Sequence, residues 1–298
     1  MPLPTFIIAG APKCGTTALW SYFKEHPAVF MTNPIKEPRF FSDAKGELEK
    51  GTSGAGPIRS GTFGKGINWY KSLFNSCGEG QVCGEASTQY FSDVNSPNLI
   101  KSIVPDVKLI FLLRHPVERV YSHYWQEYKL GLKFPDFTSM VSNHHPRFHY
   151  YCNVSSYQTH MERYYNVFAK NHVLVLLNTD LKQEPVKMVQ KAFKFIDVDP
   201  SFVPASVESR FNLQTKPRFR FLQGGYTRLT SSKLAVKIPE RMRPYVRIIT
   251  RFVSYINSVP NKMPPLPKQI RAQLTDRFRD DIAYVEELLN RDLTTWRK

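Results

Sequence analysis

Acidic residues are scarce in this chain: 25 Asp and Glu stand against 41 Lys and Arg, leaving a formal charge of +16 on 298 residues. Such an excess attracts polyanions, whether nucleic acid, nucleotide, anionic polysaccharide or a membrane surface. Cysteine is scarcer still. Cys14, Cys77, Cys83 and Cys152 are too few for a disulfide framework in a chain of this length, and none stands in C-x-x-C spacing, so no zinc site is expected. Cys77 and Cys83 are near enough to close a small loop disulfide in an oxidising compartment, or to stay two thiols. No stretch approaches the roughly 20 apolar residues of a spanning helix. No basic segment followed by an apolar one precedes the first apolar run at Thr5. The chain is therefore expected in the cytoplasm, or in the Golgi lumen if an anchoring segment precedes it. The sequon at Asn153, Val154 and Ser155 carries meaning only on that second route.

What is present reads as one folded α/β domain over residues 1–298. Hydrophobic residues make up 42%, and 21 Phe and 15 Tyr are spread along the length, which argues against long-range disorder. Thr5 to Ala9 is a short apolar run. Thr16 to Glu25 follows with Leu19, Tyr22 and Phe23 on one helical face. Lys108 to Leu113 and Val173 to Leu177 are further buried-strand runs, and helices follow from Pro116 and from Pro185 to Phe195. Strand alternating with helix predicts a P-loop-like central parallel sheet with helices on both faces. Residues 43–66, rich in glycine, predict a mobile surface loop. Phe202 to Pro267 shows no clear period. Pro267 to Leu289 predicts one amphipathic helix through Ile270, Leu274, Phe278, Ile282, Val285 and Leu289.

Between the first strand and its helix lies Gly10-Ala-Pro-Lys-Cys-Gly15-Thr16-Thr17. Backbone N–H groups and the helix dipole at such a junction hold anions. The nucleoside-triphosphate loop G-x-x-x-x-G-K-[ST] lacks its lysine here: Thr16 follows the second glycine, and the cation has moved inside the loop to Lys13. A lysine so placed suits the 5′ end of a shorter ligand, with no metal. After the second long strand come Arg114 and, about two helical turns on, Ser122. Ligands of open parallel sheets sit outside the carboxyl ends of the strands, where Arg114 can grip a second phosphate and Ser122 can donate to it. Two such sites suit a nucleotide bearing phosphates at both ribose ends, and 3′-phosphoadenosine 5′-phosphosulfate (PAPS) is such a molecule.

These residues resemble the PAPS-dependent sulfotransferases, in particular the branch of heparan sulfate sulfotransferases and related bacterial enzymes. Pro12-Lys-Cys-Gly-Thr-Thr17 is similar to that family's 5′-phosphosulfate loop, and Leu112 to Tyr124 is similar to its 3′-phosphate motif. Lys36-Glu-Pro-Arg-Phe-Phe41, Gly66 to Tyr70, Gly84 to Tyr90, Ser156 to Met161 and Asn290 to Trp296 extend the likeness, with Arg39 in place of a usual histidine and Asn290 in place of a usual glycine.

The resemblance implies PAPS as sulfuryl donor, with Pro12, Lys13, Cys14, Gly15, Thr16, Thr17, Arg114 and Ser122 binding it and Lys13 neutralising the leaving oxygen. It further implies Glu37 as general base, with His115, His123 or His160 as substitutes. Tyr157 either stacks on the adenine or packs in the core, Lys216 and Arg218 close the cofactor site, and Glu85 orients Lys13. The expected partner is an acceptor bearing a hydroxyl or amine, an anionic glycan or a small glycoside among the candidates, and no nucleic acid. The rival readings are a P-loop kinase or NTPase and a non-catalytic basic module for polyanions.

Overall fold

The computed structural model describes residues 2–32, 36–42, 61–129, 132, 134–208, 215–217, 258–260 and 263–297. Its centre is a five-stranded sheet built from β1 (Phe6–Gly10), β2 (Val29–Met31), β3 (Val82–Ala86), β4 (Lys108–Leu113) and β5 (Val173–Leu177). The order is β2-β3-β1-β4-β5 and every pairing is parallel. The alternation of strand and helix is thus borne out. β1 is buried throughout, as expected of a strand with neighbours on both edges and helices on both faces.

Helix α1 (Thr16–Glu25) buries Leu19, Tyr22 and Phe23. Phe23 meets Phe6 of β1 at 5.0 Å and Phe193 of a later helix, Pro185–Phe195, at 5.3 Å, which closes one face. On the other face Phe111 of β4 packs against Tyr164 at 4.6 Å and Phe91 at 5.7 Å. Tyr164 belongs to the helix Tyr157–Tyr165. Helix α2 (Ile67–Ser72), helix α3 (Ser96–Ile103) and helix α4 (Pro116–Lys129) complete the part of the framework that concerns the site.

The sheet order sets the site. The chain runs from β1 to one side through β2 and β3, then returns to the other side for β4 and β5, so connections leave β1 and β4 in opposite directions. A crevice opens at the carboxyl ends of such a pair. The Gly10–Thr17 loop leaves β1 there, and Arg114 leaves β4.

Two expectations need correction. The C-terminal stretch is two helices, Lys268–Arg277 and Arg279–Leu289, because Phe278 leaves the helical region at φ −99°, ψ 19°. The second helix tilts onto Tyr157–Tyr165, where Asp281 accepts the Gln158 N–H at 3.0 Å. Ile270, Leu274, Phe278, Ile282 and Val285 are all buried despite the break. Residues 43–60 lie outside the described residues, but the end of the glycine-rich segment is anchored: Phe63–Lys65 forms a 3-10 turn, the Thr62 N–H donates to the Arg39 carbonyl at 3.0 Å, and Phe63 meets Phe40 at 5.2 Å. Within the segment that showed no period, Thr215–Pro217 and Ser258–Pro260 form a small antiparallel ladder.

Cys77 and Cys83 form a disulfide; Cys14 and Cys152 are free and buried. Among the described residues no helix is long and apolar enough to cross a membrane, and no group of three or more His, Cys, Asp or Glu is arranged to hold a metal ion.

Candidate active site

The loop after β1 is shaped by backbone conformations that few residues adopt. Lys13 has φ 73° and Gly15 φ 104°. At Gly15 a Cβ would lie 2.5 Å from Leu181 Cδ2 and 2.9 Å from Asn178 Nδ2, so glycine is required twice over. Asn178, the first residue after β5, donates to the Cys14 carbonyl at 2.7 Å and clamps the loop from below. Thr16 and Thr17 open α1. With no preceding turn to bond, their N–H groups point out of its N-terminus toward any anion lying there. Thr16 is buried and Thr17 exposed.

Beneath the loop sits a cluster of cations. Arg119 of α4 is fully buried and donates to the Pro12 carbonyl at 3.5 Å, to the Tyr151 carbonyl and to the Ser155 hydroxyl, and it meets His123 Nδ1 at 3.3 Å. All of those partners are neutral or weakly basic groups. Burial, with repulsion from Lys129, Arg114 and Arg119, pushes the Lys13 ammonium down to about 8. Four cations brought this close are relieved by an anion with several negative oxygens, and the loop offers it a seat.

Arg114 lies at the end of β4. Its Nη2 donates to Glu118 Oε2 at 3.2 Å, and its Nε is buried with no hydrogen-bond partner among the described residues. Arg271, from the helix Lys268–Arg277, takes the other oxygen of Glu118. Burial works to raise the Glu118 carboxyl, but the two guanidinium groups outweigh it and hold it below its ordinary range. Ser122 is half-buried one helical turn beyond Glu118 on the same face of α4. A guanidinium with an unspent buried N–H suits a phosphate in forked geometry.

Across the loop stands Glu37. Its Oε2 accepts the Thr88 N–H at 2.9 Å, and its Oε1 accepts the Thr88 hydroxyl at 3.1 Å. Burial pushes the Glu37 carboxyl up, against the opposing effect of Lys36, Thr88 and Arg39. Lys36 reaches both sides: its Nζ donates to Thr17 Oγ1 at 2.8 Å and lies 3.9 Å from Glu37 Oε1. A raised carboxylate, one ammonium away from an anion cradle, has the proton affinity a general base requires.

Residues 3–223 match the family described as Sulfotransferase domain. The chain belongs to that family. Mouse bifunctional heparan sulfate N-deacetylase/N-sulfotransferase 4 is 24% identical over 301 residues, covering 97% of this chain and 30% of the relative. Human heparan sulfate glucosamine 3-O-sulfotransferase 6 is 26% identical over 197 residues, covering 65% of this chain and 52% of the relative. The chain thus spans about 30% and 52% of the lengths of these two curated relatives. Among solved structures, a sulfotransferase from Alicyclobacillus acidocaldarius superposes with a TM-score of 0.70 at 24% identity, covering 100% of both chains, and supports the fold. Sulfotransferases of this family generally draw the sulfuryl group from PAPS.

Several expectations for this sulfotransferase change on inspection. Tyr157 is fully buried, its hydroxyl donating to the Arg114 carbonyl at 2.6 Å and lying 4.0 Å from Cys14 Sγ. With no exposed ring face it cannot stack on an adenine; it ties the loop to the end of β4. The Cys14 side chain is likewise buried, its thiol pushed up to about 11 by burial, so it packs under the cradle and does not face a ligand. Glu85 does not orient Lys13. It is fully buried on β3 and accepts from Tyr70 and Tyr90 at 2.8 Å each and from Ser87 at 2.6 Å. Burial lifts it to about 7. Ser87 and Tyr90 in turn accept the N–H groups of Arg39 and Phe41, at 2.9 and 3.3 Å, so the network fixes the segment that carries Glu37.

His160 and His123 meet partners in the fold, while His115 keeps its Nε2 buried with no hydrogen-bond partner among the described residues. His160 meets the Asn153 carbonyl at 2.8 Å, His115 accepts the Val117 N–H at 3.2 Å and stacks on Trp296, and His123 meets Arg119. Burial lowers His115 and His160 to about 4, and burial with repulsion from Arg119 holds His123 well below the ordinary imidazole range. Lys216 lies in the small ladder, and Arg218 falls outside the described residues. Lys36, Arg119, Lys129 and Arg271 were not picked out as site residues from the sequence. Arg119 had one readable signal: it falls between Val117 and Val120 on a stretch that must face the core.

Proposed function

We propose that this sulfotransferase transfers the sulfuryl group of PAPS to a hydroxyl or amine of an anionic glycan or a related glycoside. The observation that carries the reading is the glycine loop after β1, which holds Lys13 above the buried Arg119 and next to Arg114 at the end of β4; burial first, and then repulsion from Lys129, Arg114 and Arg119, bring the Lys13 ammonium to about 8. PAPS supplies an activated sulfur bearing a good leaving group. Lys13 and the N-terminus of α1 hold the 5′-phosphosulfate, and Arg114 and Ser122 hold the 3′-phosphate. Glu37 takes the acceptor proton, and Lys13 balances the charge that collects on the departing oxygen. Glu118 keeps Arg114 aimed along α4, with Arg271 bracing it from the helix Lys268–Arg277.

The +16 charge and the relatives that act on heparan sulfate favour an anionic acceptor. The Cys77–Cys83 disulfide favours an oxidising compartment, and so a lumenal over a cytoplasmic location. The test is transfer of radiolabelled sulfate from PAPS to a panel of glycans in the presence of a metal chelator. Labelled glycan is the expected product. Turnover of ATP with magnesium, and none of PAPS, would replace this reading with that of a P-loop kinase.

A further inference from the structure

Lys36 stands where the two halves of the site meet. Its ammonium donates to the Thr17 hydroxyl at the mouth of the α1 N-terminus, and it lies 3.9 Å from the Glu37 carboxylate. The second contact is too long for a hydrogen bond. An ammonium carries three N–H donors, and among the described residues only the one to Thr17 is spent on a protein acceptor. The side chain is 23% exposed, so it is not sealed off from solvent. Its ammonium lies between Thr17 at the α1 N-terminus and the Glu37 carboxylate.

We propose that Lys36 is a further catalytic residue, whose free N–H donors bind a non-bridging oxygen of the sulfuryl group as it moves from the cradle toward the acceptor. The proposal rests on the donor and base assignments made above. In the transfer, the acceptor oxygen or nitrogen forms a bond to sulfur while the bond from sulfur to the bridging oxygen breaks. The acceptor proton passes to Glu37, and the bond's electron pair leaves on the 5′-phosphate of adenosine 3′,5′-bisphosphate. Lys13 faces the bridging oxygen and Lys36 the oxygens that travel with sulfur, so the two lysines are not interchangeable. Thr17 holds Lys36 on the loop side, and Glu37 keeps it from swinging out to solvent. Burial lowers the Lys36 ammonium while Glu37 opposes the shift, as befits a cation held ready for an anionic partner.

The two roles separate in binding, without turnover. PAPS and adenosine 3′,5′-bisphosphate differ by the sulfuryl group alone. By calorimetry with acceptor omitted, Lys36→Met should weaken PAPS by about tenfold, the loss of one charge-assisted hydrogen bond, and leave the bisphosphate within about twofold. Lys36→Arg should recover most of the PAPS affinity. Equal weakening of both ligands would make Lys36 an ordinary phosphate contact and overturn the proposal. Unchanged affinity for both would overturn it as well, and a fall in turnover alone would then place its action on Glu37. Failure of the unmodified protein to bind either nucleotide would strike the donor assignment itself, a result distinguishable from all of these. A melting curve on each variant separates misfolding from lost contact, and the arginine variant keeps the question answerable if the methionine variant does not fold.

Discussion

Lys13 should announce ligand binding by taking up a proton. In the free protein its ammonium is brought to about 8 from an ordinary 10.5, by burial first and then by Lys129, Arg114 and Arg119. At about pH 8.5, roughly three quarters of such a group is neutral; at about pH 6.5 almost none is. A bound 5′-phosphate supplies the missing opposite charge and returns the group toward its ordinary value. Binding of adenosine 3′,5′-bisphosphate should therefore absorb about 0.7 proton at the higher pH, whereas at the lower Lys13 takes up close to none and the exchange turns to release from the phosphates, whose second ionisation lies at about 6. His115 and His160, at about 4, are neutral throughout this range and do not contribute. The assay is calorimetry repeated in buffers of different ionisation enthalpy, where the slope of observed heat against that enthalpy reads the protons exchanged. Lys13→Met should abolish the uptake. No uptake at about pH 8.5 in the unmodified protein, or the same uptake in the methionine variant, would refute the placement of Lys13 in the anion site.

Further outcomes follow from the same geometry. Lys13→Met should cost at least about 100-fold in turnover, the usual scale for removing one stabiliser of developing charge, with the melting temperature nearly unchanged. Glu37→Gln should lower kcat by about 10²- to 10⁴-fold while nucleotide affinity holds, and the acid limb of the unmodified enzyme's rate profile should lie above the ordinary carboxylate range, since burial raises Glu37. Glu85 is raised from 4.5 to about 7, so its contribution to stability is full below 4.5 and is lost as pH rises through about 7; the melting temperature should fall less over that window in Glu85→Gln. Unfolding in an alkylating reagent without reductant should label Cys14 and Cys152 only, and labelling of four thiols would contradict the Cys77–Cys83 disulfide.

The strands that could be read from the sequence are those buried on both faces. Phe6–Gly10, Lys108–Leu113 and Val173–Leu177 are continuous apolar runs because helices cover both sides of them. β2 has three residues, too few to show a period. β3 carries Gly84 and Glu85 at its centre, against strand preference. The glycine is there because the Phe6 ring fills the space a Cβ would take, and the glutamate because two tyrosines and a serine satisfy it. Neither reason exists until the chain is folded.

The same limit applies to the site. The glycine loop, Lys13, Arg114 and Glu37 sit in local motifs whose chemistry shows in their spacing or in a resemblance. The contact of Arg119 with Pro12, across 107 residues, and that of Arg271 with Glu118, across 153, depend on the tertiary fold. Tyr157 shows the converse. A motif marked the position, but which way the ring faces is decided by packing against Phe91 and the Arg114 carbonyl.

The central claim is that the cradle and the end of β4 hold one nucleotide by its two ends. It is tested most directly by comparing the affinities of adenosine 3′,5′-bisphosphate and adenosine 5′-monophosphate in the unmodified protein and in Arg114→Met. The account predicts that the bisphosphate binds more tightly by at least about tenfold, as the loss of one charge-assisted contact requires, and that the advantage disappears in the variant. Equal affinities for the two nucleotides in the unmodified protein would contradict it.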